Sequence, residues 1–336
     1  MTMVEPAFDE ATAERRLSRD RSDIAALIAK ADHRLRASDR RAATAFYQAA
    51  LQAVRAGARI EAAELTRVQR AAHDLERSTA RHMLSSLRDA GFPESEWHPR
   101  FAKAIAIMLG ERPRDPPASA WPQMPRMFFY PGLAEREFFD SAAFSWREAI
   151  EAATDEIRAE GLALLEEGGG FAPYVRATSE RPQGDVHGML ENRDWTTYDL
   201  TEKGQPVAER IELCPQTHRT IAGHAPLCDI ANRSPSIMFS LLKAGSKIPP
   251  HTGMINTRLV CHLPLVVPGE GALRVGSRKQ PWHEGRLLVF DDTVEHEAWN
   301  GADSDRLVLI FDVWHPDLHE IERDQIRALF EAVDSY

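Results

Sequence analysis

Two histidines, His251 and His296, stand where a metal site could form in this 336-residue chain. His251 follows Pro249-Pro250, where we expect a strand to begin, and His296 comes 45 residues later, just after another predicted strand. Two imidazoles, completed by oxygen ligands from solvent and a co-substrate, suit Fe(II). The spacing leaves an alternative open, because the chain has 13 histidines and any one of them is more often an ordinary polar residue.

Charged residues near His296 could complete such a site. Asp291 and Asp292 precede it, and one of them could orient a metal-bound water, although a pair of aspartates is also typical of a turn at a strand end. Arg306 lies ten residues after His296, at the start of the last predicted strand. Its planar guanidinium would suit a carboxylate, and an exposed surface arginine is the alternative.

A second set of metal-ligand side chains lies at Cys214, His218, His224 and Cys228. These are the residue types of a structural zinc site, but their spacing is not that of a known zinc finger. Cys214 is followed by Pro215, and proline is favoured in the first turn of a helix. We therefore favour a helix start at Pro215 over a zinc site.

From about Asp194 the hydrophobic pattern has a period of two, which is typical of strands. Five runs rich in Val, Leu, Ile and Phe are separated by turn residues: 236–242, 258–267, 272–275, 286–290 and 306–313. Evenly spaced strands without helices between them predict an antiparallel sandwich or barrel, jelly-roll type included. In a jelly roll, the two histidines can converge at one mouth of the barrel.

Residues 11–110 predict helices instead, because Ala, Leu, Arg and Glu dominate and the first proline in this stretch is Pro93. Apolar residues recur every three or four positions over 24–35 and 42–51, with Ser38-Asp39 as an N-cap between them, and a longer helix is expected over 60–90. The two shorter helices weakly resemble one tetratricopeptide-type unit. Such a unit cannot bury its own face, so we expect it to pack on further helices or on the other domain, and it could bind a protein partner.

A proline-rich stretch over 111–135 ends this helical region. We expect a helix to follow Asp140-Ser141 and to run to residue 167, and a last helix over 320–333. The predicted fold class is therefore α+β. It has an all-α, tetratricopeptide-like region at 1–110, a proline-rich linker and helices packing on the barrel at 111–180, and a jelly-roll domain at 181–336.

Composition and charge exclude several classes of protein. The hydrophobic share of 43% and the charged share of 27% are ordinary for a globular protein, and no apolar run approaches the length of a membrane span. The net charge of −10 argues against nucleic acid as the main partner. Three cysteines and a start without a basic or apolar leader favour a reducing compartment, so we expect a cytoplasmic protein.

Three segments resemble the aspartyl/asparaginyl β-hydroxylase family of 2-oxoglutarate oxygenases. They are 251–265 (HTGMINTRLVCHLPL), 290–300 (FDDTVEHEAWN) and 311–316 (FDVWHP), in the family's order and spacing. The resemblance covers roughly residues 180–318, and it extends to bacterial members with an N-terminal helical region. It implies a double-stranded β-helix, an Fe(II) centre and 2-oxoglutarate as co-substrate.

The resemblance also implies roles for individual residues. His251 and His296 match the two iron ligands, and Gly253 stands where most 2-oxoglutarate oxygenases carry a third, acidic ligand. Asp292 is then expected to hold a water near the iron. The family's co-substrate contacts are matched by Arg306, Ser240 and His262, with Trp195 as an aromatic near the pocket.

Arg258 is the expected substrate contact, again by resemblance. Animal members that hydroxylate proteins have an Arg-x-Arg sequence here, whereas this chain has Arg258-Leu259-Val260. A site with one guanidinium and an apolar neighbour favours a substrate with a single acidic or polar anchor beside hydrocarbon.

We therefore expect an Fe(II)- and 2-oxoglutarate-dependent dioxygenase that hydroxylates an unactivated C–H bond of a protein side chain or of a small or lipid substrate. One alternative is a non-catalytic adaptor with a helical partner-binding unit and a relic barrel. Another is a cupin-type metal enzyme that does not use 2-oxoglutarate.

Overall fold

The computed structural model describes residues 6–182 and 188–336. Within these residues the chain divides into two compact units. The first, the helical unit, comprises residues 6–91, 176–182 and 332–336. The second, the barrel unit, comprises residues 92–175 and 188–331.

The helical unit is built from four helices: α1 (Glu10–Arg19), α2 (Ile24–Arg36), α3 (Arg40–Arg55) and α4 (Ala62–Asp89). Aspartates cap the first three helices at their N-termini; Asp39, for example, accepts a hydrogen bond from the amide of Ala42 at 2.9 Å. The apolar residues spaced by three and four form one buried cluster around Phe46, Tyr47 and Leu75. The helices predicted over 24–35, 42–51 and 60–90, and the cap at Asp39, are thus confirmed.

The barrel unit contains α5 (Pro99–Met108), α6 (Arg147–Ala152), α7 (Thr154–Glu166), α8 (Ala208–Leu213) and α9 (Pro215–His224), and most of α10 (Glu320–Asp334). The single helix predicted from Asp140 to residue 167 was wrong. A short 3-10 turn at Ser141–Ala143 is followed by an extended residue, Phe144, before α6 and α7. The break allows Phe144 to pack on the barrel core.

Thirteen strands are present in the described part of the chain. They are β1 (Phe138–Phe139), β2 (Ala172–Pro173), β3 (Trp195–Asp199), β4 (Thr201–Glu202), β5 (Gln205–Pro206), β6 (Ile237–Leu242), β7 (Lys247–His251), β8 (Arg258–Val266), β9 (Gly271–Val275), β10 (Arg278–Pro281), β11 (Leu288–Phe290), β12 (His296–Asn300) and β13 (Arg306–Trp314).

Two antiparallel sheets form the barrel. The larger has the order β1-β11-β8-β13-β6-β3-β2, the smaller has the order β10-β9-β12-β7, and β4 and β5 form a separate hairpin. Strands that are distant in sequence are neighbours in both sheets, which is the pattern of a double-stranded β-helix. The fold class is therefore α+β with a jelly-roll barrel, as predicted.

Alternation along the strands separates the two faces of the larger sheet. One face carries Leu259, Cys261 and Leu263 and packs against α6 and α7 through Ile150 and Ile157. Cys261 is therefore a core residue. The other face lines the barrel with an apolar cluster of both sheets, among them Val260, Leu273, Trp282, Phe290 and Ile310. The polar residues discussed below share this inner face.

Two strand positions differ from the sequence prediction. His251 is the last residue of β7 rather than the first residue of a strand, because Lys247, Ile248 and His251 pair with β12 on either side of the two prolines. His296 follows the turn after β11, as expected, but it also begins β12. No helix in the described ranges, 6–182 and 188–336, combines the length and the apolar character needed to cross a membrane.

Candidate active site

His251 and His296 are directly opposite each other on the paired strands β7 and β12. Their ring centroids are 4.1 Å apart, and the pairing is irregular just after His296, as at a β-bulge. Each Nδ1 lies against a backbone carbonyl oxygen, of Pro249 at 2.8 Å and of Val294 at 3.1 Å. A carbonyl can only accept, so each Nδ1 carries the proton and each Nε2 keeps the lone pair that a metal needs.

The surroundings of His296 favour the neutral form of its ring. Burial, and then the proximity of His251, lowers the pKa of His296 to about 3. Metal ligation requires an unprotonated imidazole, and the lowered pKa of His296 is compatible with that requirement. The pair satisfies the geometric expectation that two distant histidines converge in the barrel.

Gly253 is held against Asp292. Its amide donates a hydrogen bond of 2.6 Å to the carbonyl of Asp292, and a Cβ built on Gly253 would lie 2.1 Å from Oδ2 of the Asp292 side chain. The Asp292 carboxylate thus occupies the space that any side chain at 253 would need. Glycine is required at this position for steric reasons, independently of any metal.

Arg258 is clamped between two buried carboxylates. Its Nη1 donates to Oδ2 of Asp312, and its Nη2 lies 3.2 Å from Oδ2 of Asp292. Burial raises the pKa of both aspartates, and the Arg258 guanidinium opposes that rise. The three side chains together carry no net positive charge, so Arg258 is not an uncompensated cation facing the barrel.

Arg306, in contrast, is buried without a carboxylate. Only 1% of its surface is exposed, and neither Nε nor Nη1 has a hydrogen-bond partner in the described residues. The guanidinium carbon lies 4.7 Å from the ring centroid of Trp282, and burial lowers the pKa of Arg306 to about 9. An arginine in this state is not the surface residue of the alternative interpretation.

A continuous row of rings joins Arg306 to the histidine pair. Trp282 stacks on His262 with centroids 5.7 Å apart, and Phe290 contacts His262 at 4.9 Å and His296 at 5.4 Å. The Nδ1 of His262 is also buried without a partner, and burial, followed by the charge of Arg306, lowers its pKa. A neutral imidazole beside a buried cation can donate a hydrogen bond to a small anion that the cation binds.

Ser240 and Trp195 complete this side of the barrel. The Trp195 Nε1 donates to Ser240 Oγ at 3.1 Å, and the Trp195 ring is 6.2 Å from the His251 ring. Tyr174 stacks on Trp195 at 4.3 Å, with its own ring partly exposed. The structure thus brings together two of the residues predicted from sequence, Ser240 and Trp195, with the Trp195 ring beside His251.

Sequence reasoning missed three residues of this constellation. Asp312 lies in the 311–316 segment without a predicted role, although a carboxylate in the middle of an apolar strand indicates a buried partner. Trp282 and Tyr174 gave no comparable signal, because aromatic residues in loops and short strands have no characteristic spacing.

The alternative zinc site is overturned by the structure. No group of three or more potential ligands capable of holding a metal occurs among the residues that the structure describes, which include Cys214, His218, His224 and Cys228. Cys214 is instead a buried core residue at the start of α9, with Pro215 in the first helical turn. The helix start at Pro215 is confirmed.

A family model matches the part of the chain that contains these residues. Residues 151–316 match the model of a family described as aspartyl/asparaginyl beta-hydroxylase. The human protein of that name is 35% identical over 175 residues, which is 52% of this chain and 21% of the human protein. An ornithine lipid ester-linked acyl 2-hydroxylase from Rhizobium tropici is 32% identical, over 56% of this chain and 63% of that protein.

A mouse protein named aspartate beta-hydroxylase domain-containing protein 2 is 32% identical, over 62% of this chain and 59% of its own length. The chain thus spans less than two thirds of each of these relatives. Among solved structures, a predicted oxalate decarboxylase from Thermotoga maritima shares 16% identity over 36% of this chain and 80% of its own, with a TM-score of 0.24. A cupin 2 conserved barrel protein from Salinispora arenicola shares 12% identity over 40% and 84%, also with a TM-score of 0.24.

Proposed function

We propose that this chain, whose residues 151–316 match the model of the aspartyl/asparaginyl β-hydroxylase family, is an Fe(II)- and 2-oxoglutarate-dependent oxygenase that hydroxylates a C–H bond. The observation that carries the proposal is Arg306, a buried guanidinium with two unpartnered nitrogens in the barrel that holds the histidine pair. Burying a charge without a partner is unfavourable, so this cation calls for a small anionic ligand.

The residues present fit both cofactors. His251 and His296 would hold Fe(II), and Arg306, Ser240 and His262 would bind 2-oxoglutarate. When bound, iron and 2-oxoglutarate supply the oxidation, in which a C–H bond and O2 give an alcohol while 2-oxoglutarate is decarboxylated to succinate and CO2.

The protein's own part is to orient groups and to set charge. The carbonyls of Pro249 and Val294 fix both imidazoles in the tautomer that presents Nε2. Asp292 is held by Arg258, and its Oδ1 is buried without a partner. We assign this oxygen the task of accepting a hydrogen bond from a water in the site, which Gly253 makes possible by leaving room for the carboxylate.

The proposed substrate presents hydrocarbon rather than a carboxylate at the reacting end. Arg258 is already neutralised by Asp292 and Asp312, and Val260 lies on the same inner face. A substrate carboxylate would be a third acidic group around one cation, next to Asp292 and Asp312, which is electrostatically unfavourable. A substrate with a single polar group beside hydrocarbon, such as an acyl lipid, therefore matches Arg258 and Val260 better than an aspartyl side chain does.

Succinate formation tests the proposal. We expect the purified chain to convert 2-oxoglutarate to succinate in a reaction that needs Fe(II) and O2, and we expect the rate to rise with a substrate of the acyl type. Replacing Arg306 by Met should abolish that reaction. Absence of succinate under all conditions, from a folded protein that binds no 2-oxoglutarate, would instead favour the adaptor alternative.

A further inference from the structure

A groove of about 640 Å³ lies within the helical unit, between the α2–α3 turn, one face of α4 and Tyr336. Its apolar part consists of Leu35, Leu75 and the Tyr336 ring. Guanidinium groups surround this part, including those of Arg77 and Arg81 from α4. Asp74 is the one acidic side chain on the described lining of the groove.

Three of these guanidinium groups have no carboxylate partner among the residues described. Arg40 lies over the ring of Tyr336 at 5.4 Å, and Arg81 meets only the backbone carbonyl of Arg77, at 3.4 Å. Other arginines on the same helices are paired: Arg67 with Asp32 at 2.9 Å and Arg41 with Asp334 at 2.7 Å. Three cations without a carboxylate partner in the described residues therefore line one concave part of the surface.

The positions of Arg77 and Arg81 argue against a purely stabilising role. They are four residues apart on α4, so their like charges face each other on one side of the helix. Such a pair slightly destabilises the helix unless an anion lies between the charges. The hydroxyl of Tyr336, which lines the same groove, is buried without a hydrogen-bond partner.

We propose that this groove binds an extended peptide segment with at least two acidic side chains flanking an apolar one. The acidic side chains would pair with Arg40, Arg77 and Arg81, and the apolar side chain would pack on Leu35 and Leu75. A peptide suits the groove better than a membrane surface because the apolar residues lie within a concavity. Nucleic acid would need an extended basic face, whereas cations and carboxylates nearly balance over the N-terminal 110 residues.

Fluorescence anisotropy on the full chain tests this proposal. The probe is a fluorescein-labelled peptide of alternating Glu and Leu, and the matched probe has Gln in place of Glu. We expect the Glu peptide to bind and the Gln peptide to bind at least about tenfold more weakly. The double variant R77Q/R81Q should weaken binding of the Glu peptide by about tenfold.

The matched control is R59Q/R70Q, which removes the same charge from exposed positions of the helical unit outside the groove. It should leave binding within about twofold of the original. Equal weakening by both double variants would overturn the proposal, because binding would then follow net charge alone. The proposal would also be overturned if the original chain bound phosphatidylglycerol vesicles and not the Glu peptide, and if R77Q/R81Q lost that vesicle binding. Failure of the original chain to bind the Glu peptide would overturn it as well.

Discussion

Replacing Arg306 by Lys keeps a cation in the barrel but removes the planar pair of donors. The Nε and Nη1 atoms both lack a partner, and each can act together with Nη2 in a two-point contact with a carboxylate, whereas a lysine offers one ammonium on a flexible stem. One charged hydrogen bond contributes about 1.5–3 kcal/mol. Its loss should raise the dissociation constant for 2-oxoglutarate by roughly 10- to 150-fold.

The same replacement should make binding depend on pH. A carboxylate is bound only while the cation is protonated. The affinity for 2-oxoglutarate therefore persists at pH values below the pKa of that cation and is lost at pH values above it. Burial lowers the pKa of Arg306 to about 9. The same desolvation acts on a lysine, whose unperturbed pKa is already lower, about 10.4. The Lys variant should therefore lose affinity at a lower pH than the original protein does.

Isothermal titration of the anaerobic, Fe(II)-loaded protein with 2-oxoglutarate measures both effects. The control is Arg286→Lys, which makes the same exchange at a side chain that is 71% exposed. It should change neither the affinity nor its pH dependence. If Arg306→Lys is folded and binds 2-oxoglutarate as tightly as the original at every pH, Arg306 does not contact the co-substrate and the reasoning from its unpartnered nitrogens fails.

Three further predictions follow from the site. His296→Ala should abolish iron binding and iron-dependent succinate formation, whereas His283→Ala, on the surface, should not; full activity of His296→Ala would exclude the proposed metal site. Gly253→Ala should lower the melting temperature because its Cβ meets the Asp292 carboxylate, and Asp292→Gly in the same chain should restore it; an unchanged melting temperature in the single variant would contradict the observed packing. An Asp-containing peptide should stimulate succinate formation only in Val260→Arg, and strong stimulation of the original chain would show that Val260 does not set specificity.

The sequence predicted the helices of the helical unit well, because local signals define them. Apolar residues spaced by three and four and an aspartate at the N-termini of α1, α2 and α3 are properties of short segments, and Asp39 caps α3 as its position indicated. The break between residues 140 and 167 was missed because it depends on Phe144 packing against distant strands. The end of β7 at His251 was missed for a related reason. Two prolines within β7 argue against a strand in the sequence, and the strand is formed by long-range pairing with β12.

The site was predictable only in part. The residue types at His251, His296 and Arg306 indicated their chemistry, and the fold brings the two histidines together. The neutralisation of Arg258 was not predictable, because Asp312 lies 54 residues away and pairs with it through strand register. Desolvation of Arg306 could not be inferred either, because it depends on three-dimensional packing around Trp282. Long-range pairing and burial therefore account for most of what the sequence left open.

Anaerobic titration of the purified chain with Fe(II) and then 2-oxoglutarate tests the central proposal most directly. If His251 and His296 hold the metal and Arg306 binds the co-substrate, a weak visible charge-transfer band should appear only when both are present. The band should saturate at one equivalent of iron and be absent from His296→Ala. A folded protein that binds neither iron nor 2-oxoglutarate, and develops no such band, would contradict the proposed oxygenase.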